Sequence, residues 1–342
     1  MNQPITLREL PGASASEWDN IVASYPTARV FHSSPWHQCL KESLPGEVIR
    51  FQIEEAGEVS GHWCGFMVKR FGVKVFGGPL PGTATDYMYP LFSKEPPPVS
   101  EFLKAVRSWA SESRVAMVDV GGEYFDDVTL SAGGYGIHHT RTYRVDLSGG
   151  EAAVWSQLKP SMRNKVRKAE KSGVTVIEDA SPNFPVKFFD MLRAVFNRQG
   201  KAPTFNLRRV ETVVRVLKDR GCLIPLTALR NNEPLASVIL LLDGRTAYYW
   251  AGASYVDAYP FGANDIIQWH ALQLAIGRGI VGYDTCGGGA YKEKFGGTLM
   301  SLPAGHLSIN PVIGLVRTTV AKGFRARQKV MGAIQRATKG VR

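Results

Sequence analysis

One order of elements occurs twice along this 342-residue sequence. Residues 50–78 alternate β-branched and aromatic residues with glycine-containing breaks, a pattern that predicts three short strands. Residues 224–252 repeat that pattern, and their two turns contain residues that tolerate a tight or left-handed backbone. The expected breaks are at Gly57, Gly61 and Gly72 in the first copy, and at 231–234 and 243–244 in the second. A duplication of this kind predicts two related halves.

Each copy continues with an amphipathic helix and then a short strand that ends in Asp and glycines. The first strand closes on Asp119 and the second on Asp284. The segments before them carry apolar residues three or four positions apart, as on one face of a helix. These residues are Phe102, Val106 and Trp109 in the first copy, and Ile266, Trp269, Leu272 and Ala275 in the second.

The flanking segments 14–44 and 151–220 supply the remaining helices that each sheet needs for a core. In the second segment, Trp155, Met162 and Val166 belong to an apolar face that predicts one helix from Trp155 to Ser172. The predicted fold class is therefore α/β, with mixed sheets of the α+β kind flanked by helices.

The expected division of the chain has three parts. Ser148, Gly149 and Gly150 mark the boundary between the halves, while 140–147 could pair with either sheet. The parts are an N-terminal domain at 1–147, a C-terminal catalytic domain at 148–310 and a basic amphipathic tail at 311–342, expected to include a basic C-terminal helix.

Three stretches carry a family resemblance: FHSSPWHQCL, WSQLKPSMRNKVRKAEKSGV, and the run from YYWAGAS through YDTCGGGAYKEKFGG. Together with the repeated plan, they resemble tandem GNAT acyltransferase domains, and in particular the FemAB group with its BioF-associated, acetyltransferase-like relatives. The resemblance covers roughly residues 15 to 305. It implies transfer of an aminoacyl or acyl group to an amine, often on a cell-wall or surface-polysaccharide precursor that is phosphorylated or lipid-linked.

The donor stays open between aminoacyl-tRNA and acyl-CoA, and no bound cofactor is expected. GNAT enzymes that use coenzyme A usually carry a Q/R-x-x-G-x-G/A loop, whose backbone N–H groups hold a pyrophosphate. Residues 254–264 contain one glycine, as in Fem-type proteins, which favours tRNA. Two alternatives remain: an acyl-CoA-dependent N-acetyltransferase acting on an amino sugar, and a noncatalytic protein that binds an anionic ligand.

The candidate catalytic residues are Asp284, Tyr249 and Lys294. A carboxylate at the end of a buried strand either has a structural role or accepts the proton that an amine loses during amide formation. Asp119 lies at the same place in the first half, and this repetition favours a structural role for Asp284. Tyr249 could donate a hydrogen bond from the cleft or pack in the core, and Lys294 matches the K-x-F-G-G pattern of the family.

The candidate substrate-binding residues are Arg163, Arg167, Lys292, Phe295 and Asn264. The two arginines lie one turn apart on one face of a strongly basic segment, and a phosphate clamp, with Arg163 as the stronger candidate, is favoured over the alternative of a solvated basic face. Lys292 and Phe295 lie on the loop after the last predicted sheet strand, where a plain turn is the alternative. For Asn264 a helix cap is favoured over a ligand contact.

The composition of the chain limits the kinds of partner and the location that we expect for it. The net charge of +11 favours anionic partners, including tRNA, and the acid-free segment 317–342 could contact anionic membrane, bind RNA or pack as a terminal helix. Scattered cysteines and histidines predict no metal site. Without a signal peptide or an apolar run of membrane-spanning length, the chain is expected in the cytoplasm, with the inner membrane face as an alternative.

Overall fold

Both halves form the predicted strands and helices in the computed structural model, which describes residues 4–309 except 71 and 204. The predicted basic tail at 311–342 lies outside the described residues. The strands of the first half are β1 (Ile5–Glu9), β2 (Glu47–Glu55), β3 (Glu58–Arg70), β4 (Val73–Gly78), β5 (Leu91–Phe92), β6 (Val115–Gly121) and β7 (Gly136–Asp146). Its α-helices are α1 (Ala15–Ala23), α2 (Ser34–Ser43), α3 (Val99–Glu112) and α4 (Asp127–Ala132).

The second half begins with helices and then repeats the meander. Its strands are β8 (Thr175–Glu178), β9 (Leu223–Arg230), β10 (Glu233–Leu242), β11 (Thr246–Ser254), β12 (Gly282–Asp284) and β13 (Thr298–Ser308). Its α-helices are α5 (Gly150–Gln157), α6 (Pro160–Lys171), α7 (Phe184–Arg198), α8 (Leu207–Lys218) and α9 (Ala263–Gly277).

All described strands join one thirteen-stranded mixed sheet. Its order is β1-β2-β3-β4-β6-β13-β7-β12-β11-β10-β9-β8, and β5 pairs with β3 outside this path. Strand β13 of the second half lies between β6 and β7 of the first half and is antiparallel to both. The predicted α/β class is confirmed, whereas the division into domains at 147/148 stays a prediction.

The pairing of β7 resolves the question that the sequence left open for 140–147. Strand β7 is hydrogen-bonded to β12 on one side and to β13 on the other, and both partners come from the second half. The proposed boundary falls in the short connection between the end of β7 and the start of α5.

The turns of both meanders form largely as predicted. Asn231 and Asn232 both have positive φ, which suits a two-residue hairpin between β9 and β10. Gly57 and Gly72 also adopt positive φ between strands. The expected break at Gly61 was wrong, because Gly61 lies inside β3. A Cβ at this position would stand 2.3 Å from the carbonyl oxygen of Leu91, so glycine permits the close approach of β5.

The predicted helix from Trp155 to Ser172 is two helices. Helix α5 ends at Gln157, and α6 starts at Pro160. Proline suits the first position of a helix, where its missing N–H is not needed, but it disfavours helical backbone at the preceding residue. The apolar face continues across the break because both helices pack on the same core.

Helices cover both faces of the sheet. On one face, α1 and α2 of the first half share a single core with α7 and α8 of the second. On the other face, α3 and α4 cover the first half, and α5, α6 and α9 cover the second. In residues 4–309, no helix combines the length and the apolar character needed to cross a bilayer.

Three buried histidines lie under α1 and α2. His32, His37 and His62 are at most 8% exposed. Burial lowers the pKa of His32 to about 4 and the pKa of His37 well below its usual value, and it lowers the pKa of His62. These imidazoles stay neutral in the folded protein at neutral pH, whereas the unfolded chain binds protons near pH 6.5.

We expect the free energy of unfolding to be greatest above pH 6.5 and to fall as the pH decreases towards 4. The loss has an upper limit of about 1.4 kcal/mol per pH unit for each buried histidine, because unfolding takes up protons in this range. Urea unfolding at pH 7.5, 6.5, 5.5 and 4.5 measures it. His37→Gln should flatten the pH dependence, and His139→Gln at an exposed position should not. Constant stability between pH 7.5 and 4.5 would contradict this account.

Candidate active site

An opening in the sheet forms where β11 and β12 separate. The two strands pair in parallel from Thr246 to Tyr248, opposite Gly282 to Asp284. Strand β12 then ends, while β11 continues for six more residues to Ser254. A cavity of about 520 Å³ lies beside this unpaired part of β11 and is lined by Tyr249, Gly252, Ala253 and Ser254 from the strand.

The start of helix α9 forms a second wall of this cavity through Gly262, Asn264 and Asp265. Gly262 is the N-cap residue with φ of +70°, and it provides no side-chain cap. First-turn N–H groups of a helix lack partners within the helix, and the helix dipole favours an anion there. Lys165 from α6 also lines the cavity. Together these groups suit the phosphate of a donor molecule.

Tyr249 lines the cavity, and Lys292 lies next to its ring. The Lys292 ammonium lies 4.7 Å from the centre of the Tyr249 ring and donates to the carbonyl oxygen of Thr285 at 2.5 Å. Burial raises the pKa of Tyr249 to about 12, so its hydroxyl stays protonated at neutral pH. Burial also lowers the pKa of Lys292, although nearby Cys286, Asp86 and Asp284 oppose that shift. Both side chains can therefore donate hydrogen bonds.

The loop at 79–90 brings a further carboxylate, Asp86, to this place. The loop connects β4 and β5 of the first half, but its contacts reach the second. Trp250 donates from its indole N–H to the carbonyl of Ala84 at 2.8 Å, and the Tyr87 hydroxyl donates to Asp284 at 2.5 Å. Partly buried Asp86 lies between these anchors.

The surroundings of Asp86 favour its protonated form. Burial and the negative charge of Asp284 raise the pKa of Asp86 to about 6, and a hydrogen bond with Cys286 and the positive charge of Lys292 partly offset this. A carboxyl group with such a pKa can accept and return a proton near neutral pH. Cys286 itself has a pKa raised well above its usual value by burial, so its thiol stays protonated.

Asp284 is 2% exposed, and donors surround both of its carboxylate oxygens. Oδ1 accepts from the Thr142 hydroxyl at 2.6 Å and from the Cys286 N–H at 2.8 Å. Oδ2 accepts from Tyr87 and, at 3.4 Å, from Arg144 Nε. These bonds hold the turn after β12 in place. Asp119 has the matching position in β6 and is also buried.

Lys294 lies near the cavity but has a close partner. It forms an ion pair with buried Asp265 and lies 3.9 Å from the centre of the Tyr291 ring. Tyr291 and Asp265 line the cavity. The neighbouring Phe295 is fully buried in the core formed by α5, α6 and α9, so its ring is a core contact of this loop.

The two arginines predicted to hold a phosphate contact α5 instead. Arg163 donates to the carbonyl of Ser156 at 2.8 Å, at the C-terminal end of α5. The Arg167 guanidinium lies 5.5 Å from the centre of a Trp155 ring. The break before Pro160 turns α5 back on α6 and makes these contacts possible. Lys165, on the same helix, faces the cavity.

Asn264 is the second residue of α9, and Gly262 is the N-cap, so the favoured capping role for Asn264 was wrong. Its amide donates to Ser254 Oγ at 3.1 Å on the cavity wall. The structure thus gathers Tyr249, Asn264 and Lys292 with Lys294 close by, and it places Asp284 behind them. Among the described residues, no cluster of three or more His, Cys, Asp or Glu side chains is arranged to hold a metal ion.

Sequence reasoning missed Asp86 and Lys165. Lys165 was within the basic segment, but only the break at Pro160 determines which of its cations faces the cavity. Asp86 lies in a loop of the first half, nearly 200 positions before Asp284 in the chain. Its neighbours Thr83, Ala84 and Thr85 show no periodicity, so no local pattern indicates that this loop reaches the other half.

Comparison with known families assigns a domain type to the part of the chain that contains this cavity. Residues 156–294 match the model of the acetyltransferase (GNAT) domain family. The matched residues include α6, the opening beside β11 and Lys292. The chain therefore carries a GNAT domain, and the sequence-based assignment to the GNAT superfamily is confirmed. None of the curated proteins matches the sequence.

Solved structures share this fold along nearly the whole described chain. The crystal structure of FemX has a TM-score of 0.69 at 14% identity, covering 90% of this chain and 99% of FemX. A tandem GNAT protein from the clavulanic acid biosynthesis pathway has a TM-score of 0.56 at 11% identity, covering 90% and 99%.

A third similar structure is the C-terminal domain, DUF2156, of a protein assigned as a lysylphosphatidylglycerol synthetase from Agrobacterium fabrum. Its TM-score is 0.54 at 12% identity, and the alignment covers 90% of this chain and 97% of that one. At these identities the likeness extends to the fold alone. The fold of the described chain is thus similar to that of FemX and of a tandem GNAT protein, as the sequence resemblance predicted.

We expect Lys294→Met to destabilise the protein by about 3 kcal/mol, because it leaves the buried Asp265 carboxylate without its cation. Lys294→Met combined with Asp265→Leu should recover most of that loss. Urea unfolding measures both, with Lys168→Met as an exposed control on α6. If Lys294→Met leaves stability unchanged, the ion pair with Asp265 does not stabilise the loop.

Proposed function

We propose that this protein transfers an acyl or aminoacyl group from an activated carbonyl donor to an amine on a cell-envelope or surface-polysaccharide precursor. The observation that carries this proposal is the opening between β11 and β12. The start of α9 and Tyr249 line this opening, and the Lys292 ammonium lies 4.7 Å from the centre of the Tyr249 ring. The Asp86 carboxylate lies near Lys292 and Cys286, next to this wall.

The donor would lie along β11 in the cavity. Its phosphate groups would meet the first turn of α9 and Lys165, and its carbonyl group would extend towards Tyr249 and Lys292. Beyond Tyr248, β11 pairs only with β10 among the described strands, so its other edge would offer backbone N–H groups to the donor. This arrangement holds the reacting carbonyl in place before the amine arrives, and positioning of this kind lowers the barrier to reaction.

The reaction would proceed by direct attack of the amine on the carbonyl carbon. A C–N bond forms as the carbonyl oxygen becomes negatively charged, and Lys292 and Tyr249 are the nearest donors to stabilise that charge. Asp86 accepts the proton that the amine loses. The bond to the donor then breaks, and a proton from Asp86 or water neutralises the leaving oxygen or sulfur. No covalent enzyme intermediate is required.

We assign the proton acceptor to Asp86 in preference to Asp284. Both Asp284 oxygens already accept hydrogen bonds from buried donors. Asp86 is more accessible, and its pKa of about 6 suits a base. In this assignment Asp284 holds the turn that carries Cys286 and raises the pKa of Asp86 through its charge.

An acceptor with phosphate groups fits the groove between the halves. This groove has a volume of about 830 Å³ and is lined by three arginines, two aspartates and mostly apolar or small residues; the charged residues are Arg29, Arg245, Arg278, Asp19 and Asp243. Arg29 also lines a cavity of about 90 Å³ next to Asp284 and Arg144. An anionic precursor in the groove would therefore approach the reaction centre past two arginines. The relatives' names, FemX and lysylphosphatidylglycerol synthetase, are consistent with envelope acceptors.

Asp86→Asn should lower kcat/KM by roughly 10²- to 10⁴-fold, the usual contribution of a general base. For the wild type, kcat/KM should rise with pH through about 6 and then level off, since the carboxylate must be unprotonated to accept the amine proton. Steady-state kinetics from pH 5 to 8 measure this. Asp127→Asn, at a surface position, is the control. An Asp86→Asn enzyme with the activity and pH profile of the wild type would exclude Asp86 as the base.

The donor class is tested by incubating the protein with amine acceptors and either acetyl-CoA or aminoacyl-tRNA, and by mass spectrometry of the products. Transfer that requires charged tRNA and is lost after ribonuclease treatment would establish the aminoacyl version. Transfer from acetyl-CoA without RNA would establish the N-acetyltransferase version.

Variants of α6 test whether the donor that reacts binds in the cavity. Lys165→Ala should raise the KM for the donor about tenfold by removing a charged hydrogen bond, and Lys168→Ala should leave it unchanged. If neither donor reacts with envelope amines or amino sugars, and Asp86→Asn does not alter ligand binding, the noncatalytic alternative is favoured over transfer.

A further inference from the structure

A second cavity lies at the interface of the halves, away from the opening between β11 and β12. Its volume is about 320 Å³. The walls are mainly apolar and include Leu44 after α2, Phe189 of α7, and Pro203 and Phe205 before α8. Phe205 is itself held in place because its ring stacks on Trp250 at 5.1 Å between centroids.

A buried cation, Arg209 of α8, also lines this cavity. Arg209 is only 1% exposed. Nη1 donates to the Cys39 carbonyl at 2.9 Å and to Ser43 Oγ at 2.8 Å, and Nη2 donates to the Thr83 carbonyl at 2.9 Å. These three bonds join α8 of the second half to α2 and to the 79–90 loop of the first half.

The charge of Arg209 has no anionic partner among the described residues. Its acceptors are neutral oxygens, and its guanidinium lies 4.9 Å from the centre of the Trp36 ring. A guanidinium carries five N–H groups, so two of them have no acceptor in the part of the chain that the structure describes. Burial lowers the pKa of Arg209 to about 10, which still leaves it cationic at neutral pH.

An uncompensated buried cation is costly unless an anion neutralises it, and arginine pairs especially well with carboxylates. The aromatic and aliphatic walls favour an apolar body next to that carboxylate. The volume is sufficient for a molecule of the size of a small aryl acid.

We propose that this cavity is a second ligand site that binds a small monocarboxylate with an apolar or aromatic body, its carboxylate paired with Arg209. The site lies next to the 79–90 loop, since Gly82 and Thr83 line it and Asp86 follows three residues later. It is separate from the acyl donor and the acceptor of the proposed function.

Benzoate and its neutral analogue benzamide test the proposal, because they share shape and differ in charge. Isothermal titration calorimetry of the full chain at pH 7.5 should show benzoate binding at least about tenfold tighter than benzamide, as expected for a charged hydrogen bond. This experiment does not measure transfer activity. If benzoate does not bind, the proposed transferase function is therefore not contradicted.

Two variants locate the binding. Leu44→Phe fills the cavity without altering Arg209 and should weaken benzoate binding at least about tenfold. Arg208→Gln removes the neighbouring exposed cation on α8 and should leave binding unchanged. Arg209→Gln should abolish the preference for benzoate over benzamide, but it also removes hydrogen bonds between the halves, so Leu44→Phe is the decisive variant.

The proposal would be overturned by absence of benzoate binding at about 10 mM, by equal affinity for benzoate and benzamide, or by benzoate binding that Leu44→Phe does not weaken. If the Arg208→Gln variant binds benzoate more weakly than the Leu44→Phe variant does, the anion binds at the surface and not in this cavity, which would also overturn the proposal.

Discussion

The antiparallel pairing of β7 with β13 in the middle of the sheet is the constraint on which the other features depend. Strand β13 comes from the end of the second half but lies between β6 and β7 of the first. With β7 also bonded to β12, neither half can complete its sheet without the other. This pairing makes one continuous sheet of the two meanders. It also places the 79–90 loop of the first half against the end of β12, where Asp86 and Tyr87 meet Asp284 and Lys292.

The two halves follow one plan but differ at the place where the parallel strands separate. In the first half, β4 and β6 diverge after Gly78, and the 79–90 loop fills the space: Trp63 donates to the Met88 carbonyl at 2.9 Å, and Tyr89 packs against Gly122. In the second half, the space beside β11 stays open as a cavity. The loop of the first half fills the space beside its own strands and contacts the end of β12, whereas all described residues that line the open cavity belong to the second half.

Three carboxylates at this centre have different roles because their neighbours differ. Asp284 is surrounded by hydrogen-bond donors, and Asp265 has the Lys294 ammonium beside it. Burial and then the negative charge of Asp284 raise the pKa of Asp86, and Cys286 and Lys292 offset this only in part. The shared core under α1, α2, α7 and α8 keeps these distances fixed, with Trp250 and Arg209 both bonded to carbonyls of the 79–90 loop. A site of this kind depends on the packing between the halves as much as on its own side chains.

Local patterns in the sequence determined much of this protein. Alternation of apolar residues, the turn residues Asn231, Asn232 and Gly244, and the repeated Asp at the end of a short strand predicted the meanders and the helices, because strand and turn preferences act over a few neighbouring residues. The superfamily was predicted from the resemblance of three motif stretches to a known family. The sequence also indicated Tyr249 and Asn264, which line the cavity beside β11, and Lys292, which lies next to Tyr249. Only the tertiary structure decided that β13 crosses to the first half, that Lys294 is paired with Asp265, that Phe295 is in the core and that Asp86 lies next to Lys292 and Cys286. Those outcomes depend on contacts between residues far apart in the chain, and such contacts leave no period or motif in the sequence for local reasoning to detect.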